Sequence, residues 1–434
     1  MYNQNQPRSI APAQTVRGEL TVPGDKSISH RSIMLGSLAR GTTTISNFLR
    51  GEDNFATMQA FRAMGVPIED DGQTVTVKGV GLHGLKEPAD LLDCGNSGTT
   101  IRLMTGLLSG QSFFSVLTGD QYLRKRPMKR VSEPLRQMGA CIAGRSGGTL
   151  APLAITGSPL KGISYSSPIA SAQVKSALML AGLYAEGETS VTEPALSRDH
   201  SERMFRYFGA DLSTIGTTVT VHGGQELQGG EIAVPGDISS AAFFMVAALI
   251  VPGSELLIRN VGVNPTRTGV LDILQAMGGN ITLLNQCERS GEPVADLLVR
   301  SSRLKGIEIG GELVPRAIDE FPVISVAAAV AEGTTVIRDA RELRVKETDR
   351  IAAMATNLRS IGAGRIEETD DGLAIEGVEV LQGGTVSSCG DHRVAMSLSV
   401  AALASRSGVA IDDVSCVATS FPGFYDLLTK VATR

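Results

Sequence analysis

The amino-acid sequence predicts a mixed α and β protein of two domains, each built from three βαβαββ repeats. One pattern occurs six times: a strand end, a Gly or Pro turn, small polar residues and an apolar helix. The motif Val-Pro-Gly-Asp begins two of these copies, at Val22 and at Val234, which groups the repeats as three plus three. The six copies begin at Val22, Asp93, Pro168, Val234, Pro315 and Ser388.

Length and composition agree with this prediction. A chain of 434 residues favours two sizeable domains, and 42% hydrophobic with 20% charged residues is typical of a globular enzyme. A net charge of −5 argues against general binding to nucleic acid or to anionic membranes. The polar start of the chain and five widely spaced cysteines indicate reduced thiols and a cytoplasmic location. The longest apolar run, 241–251, is too short to span a bilayer and predicts a buried helix.

The elements inside each repeat follow from turn residues and periodicity. A Gly and a β-rich run follow the first helix, as at 41–45, 187–191 and 333–337. Alternating runs such as 74–77 and 218–221 predict the closing strands. The second helix ends on a Gly in five copies, as a left-handed helix cap requires. These glycines are Gly65, Gly139, Gly209, Gly278 and Gly362.

The domain boundaries are predicted from the two Val-Pro-Gly-Asp openings. The first domain is expected at 20–234, and the second at 1–19 together with 235–434. The hinge is expected near 19–22 and 233–236. A strand before residue 20 must pair somewhere, and the second domain is the expected partner.

Charged side chains distinguish the repeat openings. The stretch 22–31 predicts a helix capped by Asp25 or Ser27, with Lys26 and Arg31 beside its N-terminus. Free N–H groups and the helix dipole favour an anion there, although a capped surface helix is an equally ordinary interpretation. The opening at Val234 has no Lys or Arg at 237–240, and this contrast indicates function at the charged openings.

Further openings carry polar or charged groups, although each has an ordinary structural explanation as a cap, a solvated charge run or an acidic first turn. They are 96–102, the basic run 123–130, 171–176, 197–200, 316–322, 344–350 and 391–393. If these helix starts converge, they form a cationic cleft for a small polyanion, with embedded carboxylates available for proton transfer.

Taken together and in order, these motifs resemble the EPSP synthase family, the 3-phosphoshikimate 1-carboxyvinyltransferases. The resemblance runs from about 22 to 422, nearly the whole chain. The residues at 170–176 and at 318–320 are similar to those of the family branch that includes naturally glyphosate-tolerant microbial enzymes. The motifs that carry it are 26–31, 95–99, 126–128, 171–173, 346–350 and 391–393.

The resemblance implies transfer of the enolpyruvyl group of phosphoenolpyruvate to the 5-hydroxyl of shikimate 3-phosphate, with release of phosphate. The reaction proceeds by addition and elimination, on the shikimate pathway to chorismate and the aromatic amino acids. The implied fold is that of the enolpyruvyl transferases, with the active site in the interdomain cleft. The resemblance also implies a cytoplasmic monomer without cofactor or metal, and without nucleic-acid or membrane partners.

The roles of individual residues are implied by the matching motifs. Asp319 would be the base for the 5-hydroxyl, Glu347 the acid and base at the methylene carbon, and Lys26 a third catalytic group. The residues expected to bind shikimate 3-phosphate are Lys26, Ser27, Arg31, Ser171, Ala172, Gln173, Arg198, Asp319 and Lys346. Those expected to bind phosphoenolpyruvate are Lys26, Asn96, Gly98, Arg126, Gln173, Glu347, Arg350 and Arg393.

Two positions depart from the family pattern. Many members carry Lys where this chain has Thr419, so one cation for phosphoenolpyruvate is missing there. Many also carry Pro after the Arg of the Asn-x-Gly loop, whereas Leu103 follows Arg102 here. Gly98 keeps the space that an Ala fills in tolerant relatives, so glyphosate is expected to compete with phosphoenolpyruvate.

Two other functions are open at this point. One is the related enolpyruvyl transferase that acts on UDP-N-acetylglucosamine, but that family uses a loop cysteine and 121–136 contains none. The other is a non-catalytic, anion-binding repeat protein. Such a binder needs no acids among its cations, yet Asp319 and Glu347 are present.

Overall fold

The structure is a computed structural model that describes residues 6–433. The strands are β1 (Arg8–Ile10), β2 (Thr15–Thr21), β3 (Ala39–Ser46), β4 (Ile68–Asp70), β5 (Thr74–Val80), β6 (Leu92–Asp93), β7 (Phe114–Thr118), β8 (Cys141–Gly144), β9 (Leu150–Thr156), β10 (Leu160–Lys161), β11 (Ser164–Ser166), β12 (Ala185–Glu186), β13 (Glu188–Thr192), β14 (Leu212–Ile215), β15 (Thr218–His222), β16 (Leu227–Gln228), β17 (Glu231–Ala233), β18 (Glu255–Gly262), β19 (Asn280–Arg289), β20 (Glu292–Arg300), β21 (Glu308–Ile309), β22 (Thr334–Ile337), β23 (Ile366–Thr369), β24 (Gly372–Glu376), β25 (Gly384–Val386), β26 (Val409–Ile411) and β27 (Ala432–Thr433).

The helices alternate with these strands along the chain. They are α1 (Lys26–Leu38), α2 (Glu52–Ala63), α3 (Gly98–Ser109), α4 (Lys129–Gln137), α5 (Arg145–Gly148), α6 (Ala172–Gly182), α7 (His200–Tyr207), α8 (Ile238–Ile250), α9 (Gly269–Ala276), α10 (Leu313–Ala317), α11 (Phe321–Ala329), α12 (Arg350–Ser360), α13 (His392–Leu403) and α14 (Phe424–Val431). Short 3₁₀ turns lie at Leu123–Lys125, Arg341–Val345 and Ser415–Thr419.

The described chain forms two compact units. The central unit comprises Gly24–Val234 and Glu288–Glu292, and the terminal unit comprises the chain up to Pro23, Pro235–Cys287 and the chain from Pro293 onward. The first boundary therefore lies after residue 23 and not at residue 20, because Leu20 and Val22 are buried in the core of the terminal unit. Residues 288–292, expected in the second domain, belong to the central unit, where Glu292 lies 2.7 Å from His200.

Three sheets of the central unit share one strand order. Each begins with a parallel pair, continues with an antiparallel strand and ends with the hairpin partner of that strand. The orders are β6-β7-β9-β8, β11-β13-β15-β14 and β16-β3-β5-β4, with β17 also paired to β3. The predicted closing runs 74–77 and 218–221 lie in β5 and β15.

The terminal unit repeats this order. Its first two sheets are β21-β22-β24-β23 and β2-β18-β20-β19, with β27 added beside β2. The third sheet is β25-β26-β1, so its antiparallel strand comes from the start of the chain. Arg8 pairs with Ile411 and Ile10 with Val409 in this sheet. Six sheets therefore correspond to the six repeats read from the sequence.

One buried helix from each repeat forms the centre of each unit. Helices α1, α3 and α6 lie in the core of the central unit, and α8, α11 and α13 pack on one another in the terminal unit. A Cβ on Gly106 of α3 would lie 2.0 Å from the carbonyl oxygen of Ala177 in α6, so only glycine permits this approach. The buried helix predicted at 241–251 is confirmed as α8.

Local capping sets where these helices begin. Asp25, one of the two predicted caps, accepts a hydrogen bond from the Ile28 amide at 2.9 Å. Asp237 and Asp391 cap α8 and α13 in the same way, with amide distances of 2.8 Å. The five glycines predicted to end second helices all have positive φ, between 85° and 99°.

Candidate active site

Helix α1 brings Lys26, Ser27 and Arg31 to one end of the central unit. The Lys26 ammonium lies 2.5 Å from Oδ2 of Asp53 at the start of α2. The neighbouring Asn54 donates from Nδ2 to the Lys26 carbonyl oxygen at 3.1 Å. Asp53 thus orients the first cation of the site. The sequence carries no signal for this role of Asp53, because an acid in a first helical turn is ordinary.

Arg31 is almost fully buried, at 5% exposure. Its guanidinium donates to the hydroxyls of Ser201 and Ser176, each at 2.7 Å, and to the Ser27 carbonyl oxygen at 3.0 Å. Burial lowers the pKa of Arg31 to about 10, which still leaves the group charged at neutral pH. Arg31 therefore fixes α1 against α6 and α7.

The opening of α3 brings two arginines together. The Asn96 amide donates to Asp120 at 2.6 Å, and its oxygen accepts from Arg126 at 2.7 Å. A Cβ on Gly98 would lie 2.8 Å from Nη1 of Arg102 and 3.2 Å from Nη1 of Arg126. The absence of a side chain at Gly98 therefore leaves room for both guanidinium groups.

The opening of α6 joins this group. Gln173 accepts from Arg102 at 2.7 Å and donates to the Thr99 hydroxyl at 3.0 Å. Ser171 and Ala172 stand at the N-terminus of α6, where the Ser171 side chain caps the helix. Arg102 is a further cation of this site, and no role was predicted for it because in the sequence it is part of a helix start made of small residues.

Arg198 lies in the loop that leads into α7. The preceding Ser197 donates to Oε2 of Glu193 at 2.7 Å, and the Ser171 amide donates to Oε1 of the same carboxylate at 2.7 Å. The loops that hold Ser171 and Arg198 are thus joined through Glu193, which the sequence analysis did not single out.

The terminal unit brings together the second set of predicted residues. Asp319, in the turn between α10 and α11, lies 3.5 Å from Nη1 of Arg350 and 3.8 Å from the Lys346 ammonium. Arg393 donates to the Asp319 carbonyl oxygen at 3.0 Å. Glu347 lies 2.7 Å from Nη2 of Arg350, although it precedes the Asp349 cap and so stands outside helix α12. All five predicted residues of this unit therefore form one cluster.

Arg350 is the centre of that cluster. Its side chain is 2% exposed, whereas those of Asp319 and Glu347 are 17% and 29% exposed. Burial acts to lower the pKa of Arg350, but the charges of Asp391, Glu347 and Asp319 outweigh it, so the pKa is raised. A permanent buried cation thus supports two carboxylates that remain accessible. Such carboxylates can exchange protons with a bound anion.

The opening of α8 contacts a buried cation, although residues 237–240 include no Lys or Arg. Arg267, 3% exposed, donates to the Ser239 hydroxyl at 2.7 Å and lies 3.2 Å from Asp237. The same hydroxyl donates to the buried carboxylate of Glu320. The buried cation beside residues 237–240 comes from Arg267 in the same repeat. No local sequence signal identifies Arg267 as its partner.

The two departures from the family pattern have clear environments. Thr419 closes a 3₁₀ turn by donating from its hydroxyl to the Cys416 carbonyl oxygen at 2.7 Å. Leu103 is fully buried inside α3. Among residues 6–433, no cluster of three or more His, Cys, Asp or Glu side chains is arranged to hold a metal ion. Within the same residues, no helix has the length and apolarity needed to cross a bilayer.

Comparison with a solved structure identifies the fold. The fold aligns with that of the enolpyruvyl transferase NikO from Streptomyces tendae at a TM-score of 0.80 and 18% sequence identity. The alignment covers 99% of this chain and 98% of that one. The fold is thus that of an enolpyruvyl transferase, and the clusters above supply it with cations and accessible carboxylates.

Sequence comparison gives the family. The family model described as EPSP synthase (3-phosphoshikimate 1-carboxyvinyltransferase) matches residues 10–428. The chain belongs to this family.

Individual relatives agree with this assignment. The chain is 72% identical over 426 residues to the 3-phosphoshikimate 1-carboxyvinyltransferase of Geobacter sulfurreducens, covering 98% of this chain and 99% of that one. The structure of EPSP synthase from Acinetobacter baumannii matches at a TM-score of 0.90 and 51% identity, over 99% of both chains. The predicted fold class, family and transferase activity are confirmed. Neither alternative left open by the sequence is supported.

Proposed function

We propose that this chain transfers the enolpyruvyl group of phosphoenolpyruvate to the 5-hydroxyl of shikimate 3-phosphate. The products are 5-enolpyruvylshikimate 3-phosphate and phosphate, and the step belongs to the shikimate pathway. One observation carries the proposal: two accessible carboxylates, Asp319 and Glu347, lie against the same buried guanidinium of Arg350. A protein that only binds anions has no need of acids at that position.

Shikimate 3-phosphate is proposed to bind mainly to the central unit. Its phosphate and carboxylate suit a set of hydroxyl, amide and cationic groups, because charge-assisted hydrogen bonds are strong. The proposed ligands from the central unit are Lys26, Ser27, Arg31, Ser171, Ala172, Gln173 and Arg198. Arg31 uses three of its five N–H groups on Ser176, Ser201 and the Ser27 carbonyl oxygen, so a contact with the substrate would use the other two. From the terminal unit, Asp319 and Lys346 are proposed to act on the same substrate.

Phosphoenolpyruvate is proposed to bind to arginines of both units. Guanidinium groups match carboxylate and phosphate oxygens two at a time, which favours Arg126, Arg350 and Arg393 for this substrate. Gly98 leaves space beside Arg126, as its missing side chain allows. The remaining proposed contacts are Lys26, Asn96, Gln173 and Glu347.

The proposed chemistry follows from the placement of the acids. Asp319 removes the proton of the 5-hydroxyl as its oxygen attacks C2 of phosphoenolpyruvate, while Glu347 protonates the C3 methylene. The tetrahedral intermediate then returns a C3 proton to Glu347 as the C2–O bond to phosphate breaks. The leaving phosphate takes up the proton held by Asp319, so both carboxylates are regenerated. Lys26 is proposed to balance the negative charge during both steps. Neither step requires a metal or an organic cofactor.

Three further properties belong to this proposal. Glyphosate is proposed to compete with phosphoenolpyruvate, since Gly98 has no side chain that would displace the guanidinium groups of Arg102 and Arg126. The enzyme is proposed to act as a monomer, and in the cytoplasm. Both statements follow from the family resemblance and from the sequence composition.

A phosphate-release assay tests the proposed reaction. Purified protein is incubated with phosphoenolpyruvate and either shikimate 3-phosphate or UDP-N-acetylglucosamine, and the organic product is identified by mass spectrometry. We expect phosphate and 5-enolpyruvylshikimate 3-phosphate with the first acceptor alone. Turnover with UDP-N-acetylglucosamine, or none with shikimate 3-phosphate, would refute the proposal.

A further inference from the structure

A buried ion cluster lies beneath the openings of α6 and α7, and no step of the proposed reaction uses it. The Lys175 ammonium lies 2.8 Å from Oε2 of Glu193 and 2.7 Å from Oε1 of Glu202. All three side chains are at most 4% exposed. Burying one cation with two anions is costly and needs compensating hydrogen bonds. The two glutamates differ in the compensating hydrogen bonds that they accept.

Glu193 is joined to two loops of the central unit. It follows β13 directly, and its amide donates to the Thr217 carbonyl oxygen at 3.0 Å, which fixes its backbone. Its Oε1 accepts from the Ser171 amide and its Oε2 from the Ser197 hydroxyl, each at 2.7 Å. The strand end therefore holds the loop before α6 and the loop before α7 at one spacing.

Glu202 occupies an equally buried position but makes different contacts. Its Oε1 pairs with Lys175, and its Oε2 has no hydrogen-bond partner among the described residues. Glu202 thus shares the ammonium with Glu193 without holding either loop. This difference separates the stability of the cluster from the spacing of the loops.

We propose that Glu193 is a positioning residue for shikimate 3-phosphate, because it fixes Ser171 relative to Arg198. The inference rests on the proposed function, in which these two residues bind that substrate. A carboxylate is required because both of its oxygens accept hydrogen bonds. Oε1 accepts from the Ser171 amide, and Oε2 accepts from the Ser197 hydroxyl and lies close to the Lys175 ammonium. A glutamine would turn one acceptor into a donor, opposing either Lys175 and Ser197 or the Ser171 amide.

The test compares Glu193→Gln with Glu202→Gln as a matched control. Binding of shikimate 3-phosphate alone is measured by calorimetry, KM for each substrate and kcat by steady-state kinetics, and folding by circular dichroism. For Glu193→Gln we expect shikimate 3-phosphate to bind about tenfold more weakly or worse, the loss typical of a charge-assisted hydrogen bond. We expect KM for phosphoenolpyruvate and kcat to stay within about threefold of wild type, since Glu193 holds neither the proposed phosphoenolpyruvate arginines nor the two proton-transfer carboxylates. For Glu202→Gln, affinity is expected within about twofold of wild type.

Each outcome decides the inference. Equal weakening in both variants would show that the cluster only stabilises the fold, and unchanged affinity in Glu193→Gln would also refute the proposal. If Glu193→Gln does not fold, Ser197→Ala decides, because it removes one hydrogen bond to Glu193 and no charge. It is expected to weaken binding about threefold to tenfold, and wild-type affinity would refute the inference. A wild-type protein that does not bind shikimate 3-phosphate would instead refute the proposed function together with this inference.

Discussion

Nε of Arg350 lies 2.8 Å from Oδ2 of Asp391, and both side chains are at most 2% exposed. Asp391 is also the cap of α13, since Oδ1 accepts from the Arg393 amide at 2.8 Å. One buried ion pair therefore links the starts of α12 and α13. It also places Arg350 under the two carboxylates proposed to carry protons.

Removing the cation of this pair is expected to destabilise the protein. Arg350→Met leaves Asp391 buried without its counter-charge, and such changes cost about 3–5 kcal/mol. Urea denaturation followed by circular dichroism measures the loss. In the double variant with Asp391→Asn the loss is expected to be well below the sum of the single losses, because the unpaired charge is gone. Additive losses would show that the two groups do not interact.

Glu347→Gln is expected to abolish turnover without abolishing binding. Gln cannot donate and recover a proton at the methylene carbon, so kcat should fall by about 10²–10⁴-fold. Affinity for shikimate 3-phosphate, measured by calorimetry, should stay within about threefold because Lys346 and Asp319 remain. Glu342→Gln, in the preceding 3₁₀ turn, is the control and should retain wild-type turnover. Near-normal kcat in Glu347→Gln would assign proton transfer to another group.

Gly98→Ala is expected to reduce inhibition by glyphosate. The added Cβ would lie 2.8 Å from Arg102 and 3.2 Å from Arg126, so at least one guanidinium must move. The inhibition constant for glyphosate should rise by about tenfold or more, with a smaller rise in KM for phosphoenolpyruvate. Gly230→Ala is a suitable control, since nothing lies within 4 Å of its new Cβ. Equal inhibition constants for wild type and Gly98→Ala would contradict this expectation.

His30 predicts a pH dependence of stability. Burial lowers the pKa of His30 to about 3, from an ordinary value of 6.5. Below pH 6.5 the unfolded chain binds a proton at His30 and the folded chain does not. The free energy of unfolding therefore decreases as the pH is lowered from 6.5 to about 3. The slope contributed by this group is about 1.4 kcal/mol per pH unit.

The measurement compares wild type with His30→Asn between pH 6.5 and pH 4.5. Asn keeps a polar group near the Thr57 hydroxyl, which lies 2.7 Å from Nδ1 of His30. The wild type should lose about 2.3 kcal/mol more than the variant over these two pH units, because the unfolded imidazole is only half protonated at pH 6.5. His83→Asn, at an exposed position, is the control and should follow the wild type. Parallel curves for wild type and His30→Asn would exclude this histidine as the cause.

Elements defined by local patterns were predictable from the sequence. The run 74–77 alternates in the way a half-buried strand requires, and it lies in β5. Gly65 and Gly362 adopt the positive φ that helix ends demand. Glu347 and Arg350 are three positions apart in the sequence, and their side chains lie 2.7 Å from each other. In each case the deciding interaction lies within a few residues.

Partners distant in sequence were not predictable. Asp53 reaches Lys26 from a second helix, and Arg267 reaches Asp237 from the loop before α9. Neither residue type is unusual where it stands, so local composition carries no signal for the contact. The displaced boundary at Pro23 has the same origin, because strand pairing of β2 with β18 decides it.

The third sheet of the terminal unit has a consequence for synthesis on the ribosome. Strand β1 is synthesised well before its partner strand, Val409–Ile411. During translation β1 must therefore remain without its native neighbour while some 400 residues emerge. Most of the central unit lies in the continuous segment Gly24–Val234 and can fold earlier, so the two halves of the chain should acquire protease resistance in a defined temporal order.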